Sequence, residues 1–143
     1  MDKKEDKNMI KVIIIEPGKA PYLKEIVDEL ECLQEIVGGY IEPIYPFEDD
    51  VALVCNEEGK LNGLPQNRAL ISNENGDIMD IIRGTFFLVY APFEEDGFRD
   101  MPSELIKKYS ECSKNQNVFI RHRSVLLSRN MSPKLPAEIQ DKR

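Results

Sequence analysis

The chain is poor in the side chains that most often carry chemistry: its 143 residues include one histidine, three cysteines and no tryptophan. A Ser/His or Cys/His arrangement would have to bring His122, flanked by Arg121 and Arg123, back onto the domain beside a nucleophile and an orienting carboxylate. No spacing in the sequence predicts that. Cys32, Cys55 and Cys112 are widely spaced, odd in number and free of any C-x-x-C pair. They read as reduced, buried small hydrophobes of a cytoplasmic protein rather than as a metal site. Also missing are a Walker loop, a G-x-G-x-x-G after a strand and an H-E-x-x-H helix, so no cofactor or metal is expected. The longest apolar runs, Val12 to Ile15 and Phe86 to Pro92, fall far short of the ~20 residues that span a bilayer. The opening MDKKEDKN is charged, and IKVIII after it has neither the length nor the cleavage pattern of a signal peptide.

What is present describes one ordinary globular domain. Hydrophobic residues make up 41% and charged residues 31%, and a chain of this length buries roughly 70% of the surface it exposes when unfolded. The net charge of −7 conceals an asymmetry. Residues 1–112 carry 24 acidic against 12 basic side chains, whereas residues 113–143 carry seven basic against two acidic. An acidic body repels nucleic acid over most of its surface, so direct nucleic-acid binding is not expected. The basic tail is either a solvated extension or a contact for an anion or for the protein's own acidic face. The chain therefore divides into a charged lead-in (1–8), an α+β domain (9–112) and a basic C-terminal extension (113–143).

Patterning gives the elements. Ile10 to Ile15 is nearly all β-branched, as in a strand buried on both faces. Leu23, Ile26, Val27, Leu30, Leu33 and Val37 recur at three- and four-residue spacing after Pro21, which predicts a helix over 23–37 ended by Gly38 in the left-handed region. Alternation over Ile41, Pro43 and Tyr45 and the compact Val51–Cys55 predict strands. Asn56 to Lys60 has the form of a hairpin loop with Gly59 at positive φ, and Pro65 to Leu70 reads as a single helical turn. Ile78 to Pro92 is strand-rich around Gly84, with Thr85–Tyr90 the best central strand. Phe93 to Asp100 is an acidic loop. Asp100 or Ser103 is expected to cap a second helix over 102–112, with Leu105, Ile106, Tyr109 and Cys112 on its buried stripe. The expected fold is a single α+β domain: a mixed or antiparallel sheet of about five strands packed by two main helices, in the order β-α-β-β-β-α.

The stretch Leu33–Leu70, with its double glycine, its Glu-Glu-Gly-Lys turn and its compact GLPQNR motif, is the most distinctive part of the chain. Together IKVIIIEPGKAPY, LQEIVGGYIE, VALVCNEEGKLNGLPQNRAL and DIIRGTFFLV resemble the bacterial and phage family called domain of unknown function 3846, over Met9 to about Cys112. The resemblance implies a context of phages, plasmids and conjugative elements, and accessory work such as countering host defence. It implies no reaction and does not extend to the tail.

Within GLPQNR, Gly63 permits an unusual turn and Pro65 stiffens it. Asn67 offers donors and acceptors, and Arg68 a planar cationic fork for carboxylate or phosphate. With Tyr40, Glu42 and Asn62 these residues form a candidate site for a small anionic, nucleotide-like ligand. The competing reading is structural: Asn67 caps backbone groups inside the loop, Arg68 pairs with Glu42, and Tyr40 lies in the core. Glu94, Glu95 and Asp96, with Arg121 and Arg123 of the tail, are the candidate partner-binding residues. The acids Glu48-Asp49-Asp50, Glu57-Glu58 and Glu94-Glu95-Asp96 all fall in loops, where carboxylates are usually solvated, and none has the pattern of a calcium loop.

The leading function is a non-catalytic binding module for counter-defence that sequesters a small ligand or inhibits a host defence protein. The alternatives are an acidic DNA mimic of the antirestriction type and a small carboxylate-dependent enzyme. Val118, Phe119, Ile120, Val125, Leu126 and Leu127 of the tail would form a sticky patch if exposed. That segment is expected to dock on the acidic body or on a second copy, in a homodimer.

Overall fold

The computed structural model describes residues 8–72, 76–114 and 120–122. Five strands form an antiparallel sheet: β1 (Met9–Ile15), β2 (Tyr22–Val27), β3 (Ile41–Ile44), β4 (Val51–Asn56) and β7 (Phe86–Tyr90), in the spatial order β2-β1-β7-β4-β3. Three more form a second sheet ordered β6-β5-β8, from β5 (Gln66–Ser72), β6 (Ile78–Arg83) and β8 (Ile120–His122). Two helices complete the domain, α1 (Leu30–Val37) and α2 (Ser103–Ser113).

Alternating side chains divide the large sheet's contacts between two cores. On one face Ile10, Val12, Ile14, Ala52, Val54, Phe87 and Val89 meet Leu33 and Val37 of α1. On the other, Ile13, Ile15, Val51, Leu53, Phe86 and Leu88 meet Leu70 and Ile82 of the second sheet and Tyr109 of α2. Cover on both faces is why β1, β4 and β7 are continuous apolar runs despite antiparallel pairing. The large sheet is thus the middle of three layers, and β7 is its central strand.

The α+β class, the strand at Thr85–Tyr90 and the second helix hold, and Gly38 ends α1 at φ 82° with its N–H donating to the Gln34 carbonyl. Other expectations change. The helix over 23–37 shrinks to α1, because Tyr22–Val27 pairs with β1 as an edge strand, from Met9↔Val27 to Ile14↔Tyr22. The antiparallel sheet of five strands holds as well, but three further strands among the described residues form a second sheet, and the order there becomes β-β-α-β-β-β-β-β-α-β. The Asn56–Lys60 turn does not return into a hairpin. Gly63, not Gly59, takes positive φ, and the chain crosses from the large sheet into the small one, where Gln66–Ser72 is strand rather than helical turn. Nor does Asp100 cap α2: its carboxylate accepts from the Lys11 N–H at 2.8 Å, and the cap position is Pro102 without a side-chain bond.

Candidate functional site

Asn67 and Arg68, the last two residues of the GLPQNR motif, lie inside the molecule, whereas Gly63, Pro65 and Gln66 are exposed. Gln66 pairs with Arg83 and Arg68 with Ile82, so Asn67 is the extra residue of a β-bulge. The bulge re-aims two consecutive side chains so that Arg68 Nη1 donates to Asn67 Oδ1 at 2.8 Å. Asn67 Nδ2 donates to the carbonyls of Ile15 (2.9 Å) and Gly84 (2.7 Å). The Arg68 guanidinium donates from Nε and Nη2 to the Ser113 carbonyl (3.0 and 2.9 Å) and from Nη2 to the Lys19 carbonyl (2.7 Å). At 6% and 1% exposure, Asn67 and Arg68 bind the end of β1, the β1–β2 loop, the β6–β7 turn and the last residue of α2 into one clamp. Burial lowers the Arg68 pKa from its ordinary value, and the carbonyl dipoles, including one at a helix C-terminus, replace the counter-charge.

The other residues expected beside Arg68 are not gathered there. Tyr40 is 65% exposed at the start of the β3 edge, where its carbonyl accepts from the Glu57 N–H at 2.8 Å. Glu42 lies on β3, in the other sheet from Arg68. Asn62 is in the exposed β4–β5 loop, its N–H donating to the Glu58 carbonyl at 2.9 Å. Nearby, Asn56 of β4 holds the end of α1, with Nδ2 donating to the Val37 carbonyl (3.2 Å) and Oδ1 accepting from the Glu58 N–H (2.7 Å). Arg121 falls in β8 opposite Ile71, and Arg123 and most of the tail lie outside the described residues.

The acidic loop is the surface that stands out. Residues 91–98 form an excursion closed at its base by the Tyr90↔Arg99 bridge, in which the Arg99 N–H donates to the Tyr90 carbonyl at 2.8 Å. The Glu95 N–H closes a turn onto the Pro92 carbonyl (3.1 Å), and Arg99 Nε pairs with Glu95 Oε1 (2.9 Å). Ala91 and Phe98 anchor the loop by packing on the α1-side core. Phe93 does the opposite, with 87% of its surface exposed beside the exposed Glu94, Glu95 and Asp96.

Asp50 ties this loop to the β3–β4 loop, its carbonyl accepting from the Ala91 N–H (2.8 Å) and its carboxylate, at longer range, from the Phe93 N–H (3.4 Å). Glu48, Asp49, Asp50 and Glu104 line an adjoining cleft with Tyr90, Pro102 and Leu105. At its base Asp49 Oδ2 accepts from Lys108 Nζ (2.6 Å) and from the buried Tyr109 hydroxyl (2.8 Å). Partial burial works against the Asp49 carboxylate, but those two bonds hold it below the usual range. Burial first, and the bond to Asp49 second, push the Tyr109 hydroxyl up. Asp49 therefore stays ionised and anchors α2 to the acidic end.

Phe93, Asp49, Asp50 and Tyr109 were missed as site residues from sequence. A large aromatic at the head of the acidic run Phe93-Glu94-Glu95-Asp96 is the signal that could have found the first. Among the described residues no three His, Cys, Asp or Glu side chains converge as a metal-ligand group, and no helix is long and apolar enough to cross a membrane.

No curated protein and no solved structure matches the chain. A family does: the one described as Domain of unknown function (DUF3846) matches residues 10–114, from the first buried residue of β1 to the end of α2, and the protein belongs to it.

Proposed function

We propose that this protein is a non-catalytic binding module whose acidic end docks on a basic face of a partner protein. The observation that carries this reading is Phe93, 87% exposed on an internally braced loop and followed in the chain by the exposed Glu94, Glu95 and Asp96. An exposed ring on a braced loop loses little conformational entropy when it enters a pocket, and aromatic anchors of this kind dominate interface energies. The surrounding carboxylates steer a basic partner and reject acidic ones. The mobile-element context implied by the resemblance makes the partner a host defence protein, inhibited by having its basic surface occupied.

Sequestration of a small anion at Arg68 is less well supported, because it would require the guanidinium to surrender its bonds to the Ser113 and Lys19 carbonyls and to Asn67 Oδ1. A DNA mimic needs carboxylates at phosphate-like spacing over an extended surface, whereas here the exposed cations Lys19, Lys60 and Arg99 interrupt the acids by pairing with them.

The test is affinity capture of host proteins on the immobilised protein, with Phe93→Ala beside the wild type. The expected result is a discrete partner retained by the wild type in moderate salt and lost with Phe93→Ala at an unchanged unfolding temperature. Equal capture by both proteins, or no partner at all, would sink the proposal. Capture that depends only on the acids and vanishes with salt would transfer support to the mimic.

A further inference from the structure

A further apolar exposure lies at the β6 edge of the small sheet. Ile78 and Met79 open β6 at 61% and 47% exposure, and Leu61 of the β4–β5 loop is 84% exposed. With Lys60, Asp80, Ile81 and Arg83, the two β6 residues line a groove along the edge of the sheet. Lys60 and Asp80 close one side of it with a 2.6 Å ion pair. Met79 is also a bulge residue, since Leu70 pairs with Asp80 and Ile71 with Ile78, and the bulge breaks the flat edge that another strand would need. The groove therefore suits side chains rather than an added strand.

The chain's own course supplies an occupant. β8 runs parallel to β5, with His122 opposite Ser72, so β8 ends level with the end of β5. Ile71 is paired on one side with Arg121 and on the other with Ile78. Crossing from β8 to β6 spans two strand spacings, roughly 10 Å, which three or four extended residues cover at about 3.3 Å each. Three to five residues beyond His122 comes Val125-Leu126-Leu127, the most apolar run of the last 21 residues. Arg123 and Arg129 flank that run, and Asp80, paired with Lys60, lines the groove with the opposite charge.

We propose that the β6 groove is a docking surface for this chain's own C-terminal segment, with Val125, Leu126 and Leu127 seated on Leu61, Ile78 and Met79. The extension then closes over the small sheet from both margins, β8 against β5 and the segment after it against β6.

The experiment places photoreactive benzoylphenylalanine at position 126 of the full chain and maps the products of irradiation by mass spectrometry. A cross-link within one chain to Leu61, Ile78 or Met79 is expected, and its loss with Met79→Lys at an unchanged unfolding temperature. Cross-links that join two copies, map elsewhere on the chain or fail to form overturn the proposal. The map in the otherwise unaltered chain decides the matter even if Met79→Lys does not fold.

Discussion

Arg68 and the carbonyl of Ser113 are joined twice, through Nε at 3.0 Å and Nη2 at 2.9 Å, so a strand residue carries the C-terminal end of a helix 45 positions later. The last carbonyls of a helix have no partner within it, and Ser113 is fully buried. Arg68→Ala is expected to cost about 3 kcal/mol, because the buried Ser113 carbonyl loses both of its bonds to the guanidinium and the Lys19 carbonyl, in the exposed β1–β2 loop, loses one. Arg68→Lys should recover only part of this, since an ammonium lacks the planar fork. Urea unfolding of the three proteins checks both statements.

Asp49 gives the acid side of the stability profile a specific origin. Its folded-state pKa lies below the ordinary carboxylate value of about 3.9, owing to Lys108 and Tyr109 acting against burial. As pH falls the unfolded chain takes up this proton first. The contribution is complete above the unfolded pKa and is lost as pH falls through the folded one. Asp49→Asn should lower stability by about 1–2 kcal/mol at pH 7 and lose less of what remains on acidification. Thermal unfolding from neutral to acid pH, wild type against variant, measures the difference.

Gly39 has ordinary backbone geometry, and its constraint is contact. A Cβ there would stand 2.8 Å from Asn56 Nδ2. That amide donates to the Val37 carbonyl and positions the start of the β4–β5 loop. Gly39→Ala should therefore destabilise the fold by about 1–3 kcal/mol through displacement of Asn56. In the Gly39→Ala/Asn56→Ala pair the two losses should be less than additive, which a double-mutant cycle reads directly.

At the acidic end, charge and ring should divide the kinetics between them. Replacing Glu94, Glu95 and Asp96 with their amides should slow association and flatten its salt dependence. Only the exposed Glu95–Arg99 pair is lost from the fold, worth about 0.2–1 kcal/mol. Phe93→Ala should instead speed dissociation, weakening the complex by about 2 kcal/mol. Surface plasmon resonance against the captured partner separates the two rates.

Continuous burial made part of this fold legible in the sequence. Residues 12–15, 51–55 and 86–89 are apolar because the large sheet is covered on both faces. Tyr22–Val27 misled because an edge strand with only Ile26 fully buried need not alternate. Its Leu23, Ile26 and Val27 happen to continue the spacing of α1. Gln66–Ser72 misled for a different reason. Its first half buries an amide and a guanidinium across a bulge, so neither hydrophobic period nor strand alternation marks it. For the candidate site, the GLPQNR motif was visible as special, but sequence could not say whether its polar groups faced solvent or four backbone carbonyls. The acidic residues at 94–96 were legible. Phe93 was not, because an aromatic ring in a sequence reads first as core.

The clamp also sets the order of events when the chain folds. Asn67 and Arg68 bond to residues 52, 49, 45 and 17 positions away, so most of the clamp closes long loops. Such contacts reward the chain only after the two sheets and α2 have met, which puts them on the native side of the folding barrier. Weakening the clamp should leave the folding rate nearly unchanged and raise the unfolding rate by almost the whole stability loss. Asn67 and Arg68 would then act as a late latch, governing how long the assembled domain lasts rather than how fast it forms.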